Sequence, residues 1–390
     1  MNSGLAPVPA ARLAVVHDYL TQRGGAERVA LAAAHALPGA RVVTGFYEPA
    51  GTFPEFGALP IETPWINRVE PLRRDPRKAL PFLPLVFRRT VVADVDAVLC
   101  SSSGWAHAIA TDAPKIVYCH NPARWIYQPR DYFHWLPAPL VALIAFLLRP
   151  LRRWDKARAR EAAVYLVNSS VVQARVREHY GIDATVVHPP AGVGPEGEMQ
   201  AVPGLTPGFF LTVGRSRGYK NTSLVCEAFE AMPRERLVAV GGLPQRVGGW
   251  SSRIRGMRDV SDAQLRWLYT NAAGVVAASH EDFGLTPVEA FGFGTPVIAL
   301  RRGGYLDSCR AGLTGVWIEH ETVAGVIAAI RQFRAETFDS AAIRRYAQRW
   351  SPERFAADIQ DVIAQVIADE TRAREVVIEL RDHGRVSRAS

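Results

Sequence analysis

Cysteine is scarce in this 390-residue sequence: Cys100, Cys119, Cys226 and Cys309 lie far apart, with none of the spacings of metal ligands. That scarcity excludes a disulfide framework and a cysteine-based metal site, and fits a reducing cytoplasm. Long apolar runs are also missing. The nearest, residues 136–148, is interrupted by Pro137 and Pro139 and falls short of the ~18 residues of a membrane span. The opening Met-Asn-Ser-Gly-Leu-Ala-Pro shows no charged region followed by an apolar core, so no secretory signal is expected. Nor is there a Gly-x-Gly-x-x-Gly fingerprint in the first strand-to-helix turn, where Tyr19-Leu20-Thr21 fills the places a nicotinamide enzyme would need. Internal repeats and low-complexity tracts are absent.

What remains is ordinary globular chemistry, 48% hydrophobic and 22% charged, with enough chain for two domains. The net charge of +8 is placed unevenly. Residues 149–160 hold six cations against one acid, and residues 68–78 hold five against two. Beside the apolar stretch containing Trp135, Phe146 and Trp154, this charge suits both a solvated helix face and an anionic membrane surface. No nucleic-acid-binding motif accompanies it.

Apolar runs alternate with helical patterns along the chain. Strands are expected at 13–17, 41–44, 97–100, 115–119, 164–167 and 185–187, with helices at 26–37 and 170–180 between them. A Pro/Gly-rich linker over 188–208 follows. The pattern then restarts with strands at 209–213, 237–240, 275–278 and 296–300, and helices at 221–231 and 261–271. A last helix, capped by Ser351 and Pro352, is expected to reach about residue 368, with a loosely held charged tail after 372. The alternation implies mostly parallel sheets covered on both faces, hence an α/β fold.

The most informative stretch is Ser279-His-Glu-Asp-Phe-Gly-Leu-Thr-Pro-Val-Glu289. It links two buried strands through a loop at a strand's carboxyl end, where open α/β sheets bind ligands. A short helix is expected from Thr286, opened by a Thr286-Pro287-Val288-Glu289 capping box. Its amides at 284–286 favour an anion. A carboxylate such as Glu281 or Glu289 accepts two hydroxyls in fork geometry. In Leu211-Thr-Val-Gly-Arg-Ser-Arg-Gly-Tyr-Lys-Asn221, Arg215 follows a strand and Lys220 precedes a helix. Both are expected at the same sheet edge as Glu281, where fixed cations favour a bound anion.

The two glutamates, with Phe283-Gly284-Leu285 between them and Gly-Thr-Pro beyond, closely resemble the donor site of retaining glycosyltransferases of family 4. These have the GT-B fold, two Rossmann-like domains facing across a cleft. The resemblance covers residues 12–365 and is most specific at 279–304 and 211–221. It implies that Glu281 contacts the transferred sugar, that the amides of Phe283, Gly284 and Leu285 approach the diphosphate, and that Glu289 holds the ribose. It also implies that Arg215 and Lys220 are the family's phosphate-binding cations. Thr21-Gln-Arg-Gly-Gly-Ala-Glu27 resembles the family's N-terminal glycine loop, with Gly24 and Gly25 giving close backbone approach. Tyr118-Cys-His-Asn-Pro-Ala-Arg-Trp125 looks like a segment of the mannosyltransferase-like branch of polysaccharide biosynthesis. There His120 would hydrogen-bond a sugar hydroxyl or relay a proton. Arg124, Trp125, Tyr127 and Arg130 would line the acceptor side.

The expected domains are residues 1–190 on the acceptor side and 205–350 on the donor side, with a helix at 351–370 packing back on the first. The expected activity is retaining, metal-independent hexosyl transfer, mannose favoured, to a saccharide or lipid-linked acceptor. The donor is a GDP- or UDP-linked sugar, a substrate and not a cofactor. The expected location is cytoplasmic, at the inner face of the membrane. Gly256-Met-Arg-Asp-Val260 matches the family's loop near the base only loosely, and Asp94-Val-Asp96 reads as a structural loop, not a metal signature. Two alternatives stand beside this reading: a non-catalytic GT-B partner subunit and a sugar-nucleotide epimerase of the same fold.

Overall fold

Ala14, Val15 and Val16 point alternately to opposite sides of one strand, yet all three are fully buried. That is possible only where both faces of the sheet are covered, which is why the strand reads as a continuous apolar run. The computed structural model describes residues 11–386 except Pro81, His134 and 215–220, with side chains as far as residue 375.

The described residues form two parallel sheets. The first contains β1 (Leu13–His17), β2 (Arg41–Thr44), β3 (Ile61–Glu62), β4 (Ala97–Ser102), β5 (Lys115–Cys119), β6 (Val164–Val167) and β7 (Thr185–Val186), ordered β3-β2-β1-β4-β5-β6-β7. The second contains β8 (Phe209–Val213), β9 (Leu237–Val240), β10 (Ile254–Met257), β11 (Ala272–Ala277), β12 (Val297–Leu300) and β13 (Gly315–Ile318), ordered β10-β9-β8-β11-β12-β13. Both orders reverse beside the first strand, at β1/β4 and at β8/β11. This is the doubly wound Rossmann arrangement, whose ligand crevice opens at the strand carboxyl ends beside that reversal.

The chain divides into two units. One falls within Met1–Asn168, Val172–Val187 and Phe355–Ser390, the other within Ser169–Val171 and His188–Arg354. In the first unit, Ala14, Val16, Val98, Cys100, Val117 and Cys119 pack on one face of the sheet. Val15, Leu99, Ile116 and Tyr118 pack on the other. That second face is covered by the helix Pro352–Val386, which brings Phe355, Ile359, Ile363 and Val366 down one side at helical spacing. Ser351 Oγ caps its start by accepting from the Arg354 amide at 3.2 Å. All four cysteines are buried and none forms a disulfide, and burial pushes the Cys100 and Cys309 thiols up to about 12.

Three expectations are corrected. The last helix does not end near residue 368 but continues through the charged segment to Val386. Pairs such as Arg374 with Glu370, four residues apart at 3.1 Å, support it without burial. Gly256 and Met257 end strand β10, so the loop begins at Arg258. Strands β3, β10 and β13 lie outside the apolar runs read from sequence; β10 buries only Ile254 and so carries little periodic signal.

Candidate functional site

In the second unit, β11 ends at Ala277 and the chain turns through Ser279, His280 and Glu281 before the helix Leu285–Gly292. Gly284 enters that helix in the left-handed region, at φ +87°. A Cβ there would collide with the Tyr305 ring, so glycine is required both by the turn and by the close approach. The space it leaves lets Tyr305 Oη come within 2.7 Å of Ser279 Oγ, and Ser279 Oγ donates to Glu281 Oε1 at 3.0 Å. Glu281 therefore has a fixed side-chain orientation. Gly304 N also donates to the Glu281 carbonyl at 3.0 Å, tying the loop after β12 to the loop after β11.

The expected capping box does not form. The left-handed turn at Gly284 caps the helix two residues before Thr286, placing Thr286 inside it and Pro287 at its third position. Pro287 costs nothing there, since the first-turn amides have no intrahelical partner. Glu289, released from capping, accepts a hydrogen bond from Tyr269 Oη at 2.7 Å. The Phe283 ring is buried and stacked on His188 at 5.3 Å, leaving its backbone beside Gly284 and Leu285 at the helix N-terminus. The positive end of the helix faces the loop that carries Glu281.

A second cluster ties this loop to the one after β8. Asn221, itself left-handed at φ +50°, donates through Nδ2 to the Ala278 carbonyl at 2.9 Å and to Glu321 Oε1 at 2.6 Å. His280 Nε2 meets Glu321 Oε2 at 2.7 Å. Burial pushes the Glu321 carboxyl up, but hydrogen bonds from His280 and Asn221, with the charges of His280 and Arg302, outweigh it and hold it below its usual range. Arg215 and Lys220, with Arg217, lie outside the described residues. Their neighbour Asn221 is held against Ala278, the residue that follows β11 on the way to Glu281.

In the first unit the reversal between β1 and β4 gathers three strand ends. His17 Nδ1 lies 3.0 Å from both the carbonyl and the hydroxyl oxygen of Ser101, and Ser101 Oγ lies 2.8 Å from His120 Nε2. Burial, aided by the neighbouring charge of His17, lowers the His120 pKa to about 3, so the ring is neutral at physiological pH and a poor proton relay. Asp18 accepts from the amides of Ser103, Trp105 and Ala106 at 2.5, 2.7 and 2.8 Å, locking the loop after β1 to the loop after β4. Gly24 precedes the helix Gly25–Ala36, and a Cβ on it would collide with Glu27 Oε2. The room at Gly24 is thus taken by a buried carboxylate that also accepts from Gln22 Nε2 at 2.8 Å.

Sequence matches two family models in succession. Residues 23–193 match Glycosyltransferase Family 4, and residues 199–350 match Glycosyl transferases group 1. The chain is a GT-B glycosyltransferase. It is 26% identical to the alpha-1,3/1,6-mannosyltransferase ALG2 of Homo sapiens, over 88% of this chain and 94% of that one. Over 37% of each chain it is 35% identical to the D-inositol 3-phosphate glycosyltransferase of Geodermatophilus obscurus. Among solved structures, Anabaena HepE in complex with UDP and glucose superposes with a TM-score of 0.63 at 15% identity, over 91% of this chain and all of that one.

Several residues of this glycosyltransferase singled out in the sequence have packing partners in the first unit. The Tyr127 hydroxyl donates to Asp155 Oδ2 at 2.8 Å and its ring stacks on His179 at 4.7 Å. Trp125 packs edge-on against the buried Trp105 at 5.6 Å. Asp96 accepts from the Arg12 amide and guanidinium at 2.8 and 3.2 Å, a structural use that matches its reading as a loop residue. Sequence reasoning missed Ser279, Tyr305, Tyr269, Glu321, His17 and Ser101. Only Ser279 had a signal, its place two residues before Glu281.

Proposed function

We propose that this glycosyltransferase moves a hexose, mannose favoured, from a nucleoside diphosphate sugar to a saccharide or lipid-linked acceptor with retention of anomeric configuration. The second unit takes the donor and the first takes the acceptor. The observation that carries this reading is the oriented Glu281 carboxylate, held by Ser279 and Tyr305 beside a helix N-terminus. Such an arrangement accepts hydroxyls of a bound sugar while the helix amides of 283–285 meet its phosphates. Glu289, braced by Tyr269, takes the ribose hydroxyls. Arg215 and Lys220 stabilise the charge that develops on the leaving diphosphate. With those cations and the helix dipole, a divalent ion is not required.

Retention follows from front-face attack, in which the acceptor hydroxyl approaches on the side the diphosphate leaves and that phosphate takes the proton. His120 serves as a hydrogen-bonding group for the sugar. The likeness to a mannosyltransferase over most of both chains supports mannose, and with it a GDP-linked donor.

A lipid-linked acceptor is supported by the helix Ala138–Leu147, which buries only Val141. It leaves Leu140, Leu143, Phe146 and Leu147 exposed, the last at 65%. Cationic Arg149 and Arg153 follow on the next helix, Arg149–Ala159. An apolar helix face next to cations suits the inner face of an anionic membrane.

The test is calorimetric titration with GDP, UDP, GDP-mannose and UDP-glucose in chelator, followed by NMR of the product anomer. Saturable binding of the guanosine series and a retained anomer are expected. Binding only with added metal would overturn metal independence, and an inverted product would overturn the mechanism.

A further inference from the structure

A carbonyl oxygen only accepts, so His17 Nδ1, 3.0 Å from the Ser101 carbonyl, must carry a proton. The same nitrogen lies 3.0 Å from Ser101 Oγ, which therefore receives on that side and has no acceptor there for its own proton. Among the described residues, the remaining hydrogen-bond neighbour of Ser101 Oγ is His120 Nε2, at 2.8 Å. If Nε2 bore the proton, two N–H groups would converge on one buried hydroxyl whose own proton had no partner in this triad. Leaving a buried donor unmade is the costly choice. The hydroxyl donates to Nε2, and the neutral His120 ring must carry its hydrogen on Nδ1.

The backbone of His120 is fixed as well. Its amide donates to the Ser102 carbonyl at 2.8 Å, and its carbonyl accepts from Asn168 Nδ2 at 3.0 Å. His120 Nδ1 has no hydrogen-bond partner among the described residues. These residues stand at the carboxyl ends of β1, β4 and β5, across the point where the strand order reverses.

We propose that Ser101, itself held by His17, is a positioning residue that fixes His120 as the Nδ1–H tautomer, so that His120 acts on the transferred sugar as a hydrogen-bond donor and not as a base. This rests on the placement of His120 at the sugar proposed above. The tautomer decides what His120 can bind: a donor at Nδ1 meets a lone pair of a sugar hydroxyl and cannot remove a proton from the acceptor.

The experiment is nitrogen NMR of the whole protein labelled at histidine, with His120→Asn identifying the His120 signals. At neutral pH the wild type is expected to show a protonated Nδ1 and a bare Nε2. Ser101→Ala should lose that preference and lower kcat about tenfold, with KM for the donor little changed. Ser101→Thr, which keeps the hydroxyl, should restore both the signal and the rate. A wild-type ring protonated at Nε2 overturns the proposal, as does an unchanged tautomer in a folded Ser101→Ala protein. Full activity in His120→Ala would instead overturn the placement of His120 at the sugar, a separate failure that the NMR signal does not depend on.

Discussion

Tyr305 reaches Glu281 through a single shared hydroxyl. Ser279 Oγ spends its proton on Glu281 Oε1 at 3.0 Å, so the Tyr305 phenol, 2.7 Å away, must be the donor to Ser279. The chain runs in one direction, from phenol to serine to carboxylate, and each bond polarises the next. Glu281→Ala is expected to lower kcat by about a hundredfold or more, and Tyr305→Phe by about tenfold, in a steady-state transfer assay. A Tyr305→Phe enzyme as fast as the wild type would mean that the carboxylate keeps its orientation without the phenol.

Gly284 makes that chain possible by having no side chain. Gly284→Ala combines a left-handed backbone with a clash against the Tyr305 ring. It is expected to cost about 1–3 kcal/mol in a urea melt and to slow transfer at least as much as Tyr305→Phe. A stable variant with normal turnover would show that the loop can open without disturbing Glu281.

Asp155 is fully buried on the helix Arg149–Ala159, where it accepts from His107 Nε2 at 3.0 Å, Tyr127 Oη at 2.8 Å and Tyr180 Oη at 2.9 Å. With Ser102 Oγ 3.1 Å from His107 Nδ1, the set looks like a Ser-His-Asp triad, but Ser102 and His107 are each only 2% exposed. Its role is to fasten the cationic helix to the sheet. Asp155→Ala strands three donors and should destabilise the first unit by about 3–5 kcal/mol. Equilibrium unfolding monitored by tryptophan fluorescence reads this directly, Trp105 and Trp154 lying 6.0 Å apart in the same region.

His120 makes stability depend on pH in a defined direction. The unfolded chain takes up the proton below about 6.5, the folded chain only near 3, where burial and His17 hold it. Between those values the unfolded state binds more protons, so stability falls as pH falls, by about 1.4 kcal/mol for each pH unit. The urea midpoint of the wild type should therefore drop more steeply between pH 6.5 and 4 than that of His120→Gln. Parallel slopes would show that the folded ring takes up a proton in that range.

Much of the fold was legible because buried parallel strands write themselves as apolar runs. β1, β2, β5, β6, β8 and β9 fall at the residues read for them, since each is covered on both faces. β3 and β10 were not legible, because edge strands bury few residues and lack that signature. At the site, Glu281 and Glu289 were found from their spacing and neighbours. Tyr305 and Tyr269 were not, because each meets its glutamate only through tertiary packing that brings together residues 24 and 20 positions apart in the chain. The capping box failed for a related reason. A motif of residue types specifies a cap only if the backbone enters the helix where the motif begins, and Gly284 moved that entry.

The helix Pro352–Val386 completes a core whose other half, Val15, Leu99 and Tyr118, lies 237 to 340 residues before Phe355 in the chain. During synthesis those residues leave the ribosome first and wait. At about 5–20 residues per second, the wait for the closing helix lasts tens of seconds. Throughout that time one face of the first sheet is covered only in part, by Val29, Ala33 and Ala36 of the helix Gly25–Ala36, while the second unit, continuous from His188 to Arg354 but for Ser169–Val171, already has nearly all of its own chain. The unit that begins the polypeptide is thus the last to finish folding, and a chain cut short before Phe355 leaves that apolar face open to chaperones and to aggregation.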